Sequence, residues 1–150
     1  MKVAVLMGSA SDQGKMEPAV VTLGEFGVEV DQRVMSAHRT PDELAQLVKP
    51  ARENSYAAFI CGAGMAAHLA GAVAAHTTLP VVGVPLSGSA LNGVDALYST
   101  VQMPRGIPVA TVAIDGAVNA ALLVIQMLAV TDAELARRLA EHRAAMASRR

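Results

Sequence analysis

The chain has 150 residues, of which 53% are hydrophobic and 17% charged, with a formal net charge of −1. That balance suits one compact domain with a sizeable core, and it excludes a highly charged, disordered chain. It offers no field for nucleic acid or an anionic membrane, and aromatics at 3% leave few rings on which bases could stack. In chain order, Lys2–Met7 is predicted as the first strand. The opening residues lack the apolar core and cleavage site of a secretion signal, so a cytoplasmic address is expected. Gly8-Ser9-Ala10-Ser11-Asp12 follows. Such a turn offers backbone and hydroxyl donors to an anion and a carboxylate to a sugar hydroxyl. It equally suits helix capping by Ser11 or Asp12. No Gly-Lys-Ser/Thr follows to make it a Walker loop. Met16, Ala19, Val20 and Leu23 then repeat at helical spacing, and Pro18 is expected to delay or kink that helix.

Val28–Met35 alternates as a less buried strand does, and leads into Ser36-Ala37-His38-Arg39-Thr40-Pro41. A hydroxyl, an imidazole and a guanidinium stand together there. Thr40 is predicted to cap the next helix, with Pro41 at its first position and Glu43 completing a capping box. An arginine beside a helix N-terminus can bind phosphate through two bonds, and histidine trades protons near neutral pH. A polar turn without chemistry is the alternative. Leu44, Leu47, Val48 and Ala51 make the next apolar stripe.

Ala57–Cys61 is predicted as the third strand, with Cys61, the single cysteine, as a packing residue. One cysteine excludes an intramolecular disulfide or a zinc cluster of cysteines. Gly62-Ala63-Gly64-Met65-Ala66-Ala67-His68-Leu69 pairs a glycine turn with a small-residue helix expected over Met65–Ala75. Small residues let a ligand lie against the backbone, or serve close helix–sheet packing. The run Ala63, Gly64, Ala66 and Ala67 is expected to wall an apolar pocket. His68, in the first turn, reads equally as structural or functional; His76 and His142 read as solvated or capping. Val81–Val84 is the fourth strand, with Gly83-Val84-Pro85 at its end.

Val94, Leu97, Tyr98 and Val101 form a helical stripe, and Val109–Ile114 the fifth strand. Ala117–Ala129 is apolar nearly all round and is expected to be buried. The longest greasy stretch, Ala120–Val130, is broken by Gln126 and too short to cross a bilayer. Thr131 and Glu134 form a second capping box for a last helix over about 131–147. Its far end carries His142, Arg143, Arg149 and Arg150, cations that suit the helix dipole. No linker is visible, so residues 1–150 read as a single domain.

Strands alternating with helices imply an α/β fold, a three-layer flavodoxin-like or Rossmann-like parallel sheet with helices on both faces. Such sheets bind ligands beyond the carboxyl ends of their strands. The unusual turns after the first four strands therefore converge on one rim. Lys2, Lys15 and Lys49 stand at no strand's carboxyl end, which argues against Schiff-base chemistry. No histidine pair or acidic cluster has metal-ligand spacing.

The rim segments, with Pro80–Pro85 and Asp95–Val112, resemble the catalytic subunits of bacterial phosphoribosylaminoimidazole carboxylases, the N5-carboxyaminoimidazole ribonucleotide mutase family. The resemblance runs from the first strand to the penultimate helix. It implies an isomerase of purine (IMP) biosynthesis that moves a carboxylate from an exocyclic nitrogen to ring carbon C4. It implies no metal, ATP, biotin or other cofactor. Its ribonucleotide substrate would come from an ATP-dependent carboxyaminoimidazole ribonucleotide synthase, and the chain would form a homo-octamer. By this resemblance His38 is the general acid/base. Ser9, Asp12 and Arg39 match ligand-binding positions, with Ser11 and Ser36 beside them. Ser36 and Arg39 would face the phosphate and Asp12 the ribose, while Ala63, Gly64, His68 and Leu69 match the wall around the base. Gln13, Met65, Ala70 and Pro18 depart from the commonest family pattern, and none removes a catalytic group. Three alternatives stay open: a direct aminoimidazole ribonucleotide carboxylase, a related carboxylase of nickel-pincer cofactor assembly, and a non-catalytic nucleotide-binding module.

Overall fold

Strand β1 (Lys2–Met7) begins and ends as predicted, and its residues Val3 to Met7 are all buried. A run with no exposed side needs cover on both faces, which a central parallel strand has. The computed structural model, which describes residues 2–148, supplies that cover. Strands β2 (Glu29–Val34), β3 (Tyr56–Gly64), β4 (Val81–Leu86) and β5 (Ala110–Thr111) complete an all-parallel sheet in the order β2-β1-β3-β4-β5. This is the flavodoxin-like order, whose direction reverses between β1 and β3. Edge strand β2 has no buried residue, as its alternation suggests.

Strand β5 is shorter than the predicted Val109–Ile114. Pro108 has no amide to donate, and Asp115 turns the chain with φ 57°. The segment still follows β4: the amides of Val112 and Asp115 donate to the carbonyls of Gly83 (3.2 Å) and Pro85 (2.8 Å).

The helices are α1 (Gln13–Glu25), α2 (Pro41–Val48), α3 (Leu69–Ala74), α4 (Val94–Val101), α5 (Ala117–Ala129) and α6 (Ala133–Ser148). On one sheet face Val5, Met7, Ile60 and Val84 pack with Met16 and Leu23 of α1, Val124 of α5 and Leu135 of α6. On the other, Leu6, Phe59 and Cys61 pack with Leu44 and Val48 of α2 and Leu69 and Val73 of α3. Two strand glycines set how closely helices approach. A side chain at Gly62 would drive into the Met16 sulfur, and one at Gly83 into the Thr100 methyl of α4. Burial pushes the Cys61 thiol well above its usual range, as an inert packing residue requires.

Several local expectations are corrected. A single 3-10 turn at Ala10–Asp12 feeds α1, so the helix starts before Pro18 rather than at it. Helix α3 starts at Leu69 instead of Met65, because Met65 is left-handed (φ 53°) and cannot continue a right-handed helix. His68 is accordingly the residue before the helix, not within its first turn.

Thr40 makes no capping bond. Its hydroxyl donates to the Ser36 carbonyl (3.1 Å) and accepts from the Ser36 amide (3.2 Å). Asp132, rather than Thr131, caps α6: its carboxylate accepts from the amides of Glu134 and Leu135, both at 3.0 Å. Helix α5 is buried on one face only, and Val118 is 45% exposed.

His142 is neither solvated alone nor a cap, since its ring packs on Phe26 at 5.6 Å. Beside it Arg138 donates to the carbonyls of Phe26 (2.9 Å) and Glu25 (3.2 Å), which end α1 without helical partners. Among the described residues the last turn of α6 holds no basic side chain; Arg149 and Arg150 lie outside the described residues. No helix among the described residues is long and apolar enough to cross a membrane.

Candidate active site

The reversal in strand order leaves a crevice above β1 and β3. There the Gly8 amide donates to the Gly62 carbonyl at 3.1 Å. A cavity of about 660 Å³ opens at this point. Ser9, Ser11, Asp12, Ser36, His38, Arg39, Ala63, Gly64, His68 and Leu69 all line it, so the rim brings every sequence-predicted site residue together. Ala66 lines it too, whereas Ala67, expected in the same wall, is buried away from it. His76 is exposed elsewhere.

After β1 the Ser9 hydroxyl accepts from the Ser11 hydroxyl (3.0 Å) and amide (3.4 Å), which closes the turn. Burial pushes the Asp12 carboxyl up, and the Ser9 backbone and the charges of Lys15 and Arg39 offset only part of that.

After β2 the arginine is held across two loops. Its amide and Nε donate to Ser36 Oγ (3.2 and 3.3 Å), and Nη2 donates to the Gly8 carbonyl (3.0 Å). A guanidinium has five N–H donors, so this leaves three for an anion. The group is therefore oriented before any ligand arrives.

His38 Nε2 lies 3.3 Å from His68 Nδ1, with the rings tilted 51° and their centroids 5.2 Å apart. Only one N–H fits between two ring nitrogens, so the contact orients the His38 ring against His68. The loop after β3 and the loop after β2 thus carry one imidazole each to the same spot. Gly64 lines the cavity, and the Leu86 carbonyl lies 3.4 Å from where a Cβ would stand. The arrangement can grip an anion at one point and move a proton at another.

Sequence reasoning missed Lys15 and the segment Ser87-Gly88-Ser89, which also line the cavity. Lys15 stands at no strand end, but its long side chain crosses from α1 to the rim. The serine segment follows β4, which runs two residues beyond the predicted Val84. The polar residues after a longer β4 were the available signal.

The family model for AIR carboxylase matches residues 2–149. The chain is 54% identical over 135 residues to the N5-carboxyaminoimidazole ribonucleotide mutase of Saccharolobus solfataricus, covering 90% of this chain and 85% of that one. It is 53% identical over 146 residues to the protein of the same name from Escherichia coli K12, covering 96% and 86%. The crystal structure of Treponema denticola PurE superposes with a TM-score of 0.89 at 30% identity, covering 98% of this chain and 92% of that chain.

Proposed function

Because the chain belongs to the AIR carboxylase family, we propose that it interconverts N5-carboxyaminoimidazole ribonucleotide and 4-carboxy-5-aminoimidazole ribonucleotide in purine synthesis. The observation that carries this reading is one cavity with a pre-oriented Arg39 and the His38–His68 pair on its lining. Arg39 and Ser36 bind the phosphate, and Asp12 takes a ribose hydroxyl. His38 donates a proton to the exocyclic nitrogen as the N-carboxylate leaves as carbon dioxide. The enamine-like C4 attacks that carbon dioxide. His38, now neutral, removes the C4 proton, which restores the aromatic ring and returns the histidine to its first state. A single acid/base serves both halves. Phosphate binding far from the reacting atoms holds C4 against the gas molecule, and orientation of this kind lowers a barrier by as much as about 7–11 kcal/mol.

The small residues Ala63, Gly64 and Ala66 line the same cavity, and in this reading that carbon dioxide waits against them. Substrate labelled in its carboxylate should therefore yield C4-carboxylated product with most of the label kept, even in excess unlabelled bicarbonate and without ATP. Full loss of label, with rapid turnover of aminoimidazole ribonucleotide and bicarbonate, would make the protein a direct carboxylase. Binding without either reaction would leave a nucleotide-binding module.

A homo-octamer belongs to the same proposal. Leu91, Val94, Tyr98 and Val101 are exposed along one side of α4 and its approach. An apolar stripe of that kind marks a contact surface. Light scattering should give the octamer's mass, and a stable monomer at micromolar concentration would refute assembly. Substrate supply by an ATP-dependent carboxyaminoimidazole ribonucleotide synthase and a cytoplasmic address are part of this reading.

A further inference from the structure

Lys15 sits in the first turn of α1, and its ammonium reaches the loop after β4. It donates to the Ser87 carbonyl (2.6 Å) and hydroxyl (2.7 Å) and stands 3.7 Å from the Asp115 carboxylate. Ser87 completes the cluster by donating its amide (2.9 Å) and its hydroxyl to Asp115. Burial disfavours the charged form of Asp115, but the Ser87 bonds and the Lys15 charge outweigh it and hold the carboxyl below its usual range.

The Ser87 hydroxyl is held from both sides: its proton goes to Asp115 and one of its two lone pairs to Lys15. It has no proton left to donate to a ligand. Downstream, Gly88 is left-handed (φ 105°), and Ser89 Oγ donates to Asp95 at 3.0 Å. Residues Ser87 to Ser89 thus line the cavity without belonging to a strand or helix, held by side chains at both ends. Asp115 keeps an uncommon left-handed φ of 57°, which persists where neighbours over-determine it.

We propose that Lys15 is a positioning residue: with Asp115 it clamps Ser87 and so fixes the wall that Gly88 and Ser89 present to the substrate. The assignment rests on the ribonucleotide reaction proposed above. Asp115 gives the decisive control, because it belongs to the clamp but does not line the cavity.

The test compares full-length protein with Lys15→Met, Lys15→Arg, Asp115→Asn and the Lys15→Met/Asp115→Asn double variant. Steady-state kinetics on the ribonucleotide and amide hydrogen exchange across residues 87–89 are measured on each. Lys15→Met and Asp115→Asn should each raise KM about tenfold while kcat changes less than about threefold. The double variant should be no worse than the worse single one, as expected for two parts of one unit. Lys15→Arg should recover part of the loss, and exchange at Gly88 and Ser89 should quicken in step with KM. A raised KM for Lys15→Met alone, with Asp115→Asn normal, would mean that Lys15 touches the ligand directly, and would overturn the clamp. A lowered melting temperature with unchanged KM and unchanged exchange would overturn it as well. If the parent protein neither binds nor converts the ribonucleotide, the reaction assignment fails, and the exchange data still decide the clamp.

Discussion

A His38→Asn variant should keep its fold and its affinity for the ribonucleotide while kcat falls by about 10²–10⁴-fold. Asparagine places its amide near the Nδ1 edge of the imidazole and gives up only the exposed contact of His38 Nε2 with His68 Nδ1, now 3.3 Å. It cannot carry a proton. The grip of Arg39 and Ser36 on the phosphate is untouched, so whatever rate remains reports orientation alone. The effect is confined to kcat because the proton is needed only as bonds to carbon dioxide break and form. Single-turnover assays and calorimetry on a folded preparation check both halves. Near-normal turnover would remove His38 from the mechanism.

Arg39→Ala should weaken ribonucleotide binding about 100-fold or more, since bonds to a charged partner contribute about 1.5–3 kcal/mol each and Arg39 keeps donors for at least two. The dephosphorylated nucleoside should bind the variant and the parent alike. The fold should survive, because the Gly8 carbonyl and Ser36 hydroxyl that Arg39 holds are exposed bonds that water can replace. Calorimetry with both ligands separates the outcomes. Equal affinity of the parent protein for nucleoside and nucleotide would refute a phosphate site at Arg39.

Where backbone pattern and local chemistry agreed, the sequence was readable. The bare apolar run of β1 announced a strand covered on both sides, and the rule that ligands gather at strand ends joined Ser9, His38 and Gly64 on one rim. The failures have another cause: a side chain took a partner that the local pattern does not name. Thr40 bonds Ser36 instead of capping, so a capping-box pattern misled. Asp132 outcompetes Thr131 for the start of α6 because its carboxylate reaches two amides. Lys15 pairs across 72 residues with Ser87, which no local window contains. The left-handed turn at Met65 was equally hidden, since a non-glycine residue rarely takes a positive φ. The His38–His68 contact depends on how two loops from non-adjacent segments meet. Each segment showed its histidine, but neither showed the distance.

The pairing of α1 with α5 on one sheet face has a consequence for how the chain comes into being. A polypeptide made from its N-terminus completes β1 to β4 by Leu86, yet α5 does not begin until Ala117. Through that interval the apolar side of Val5, Ile60 and Val84 is only half roofed, by α1 alone. The C-terminal carbonyls of α1 wait longer still, for Arg138. The nascent chain therefore carries an open greasy face, the condition under which growing chains stick to one another. The segment from Ala117 onward acts as the closing flap, so this face stays open until α5 and α6 have been made.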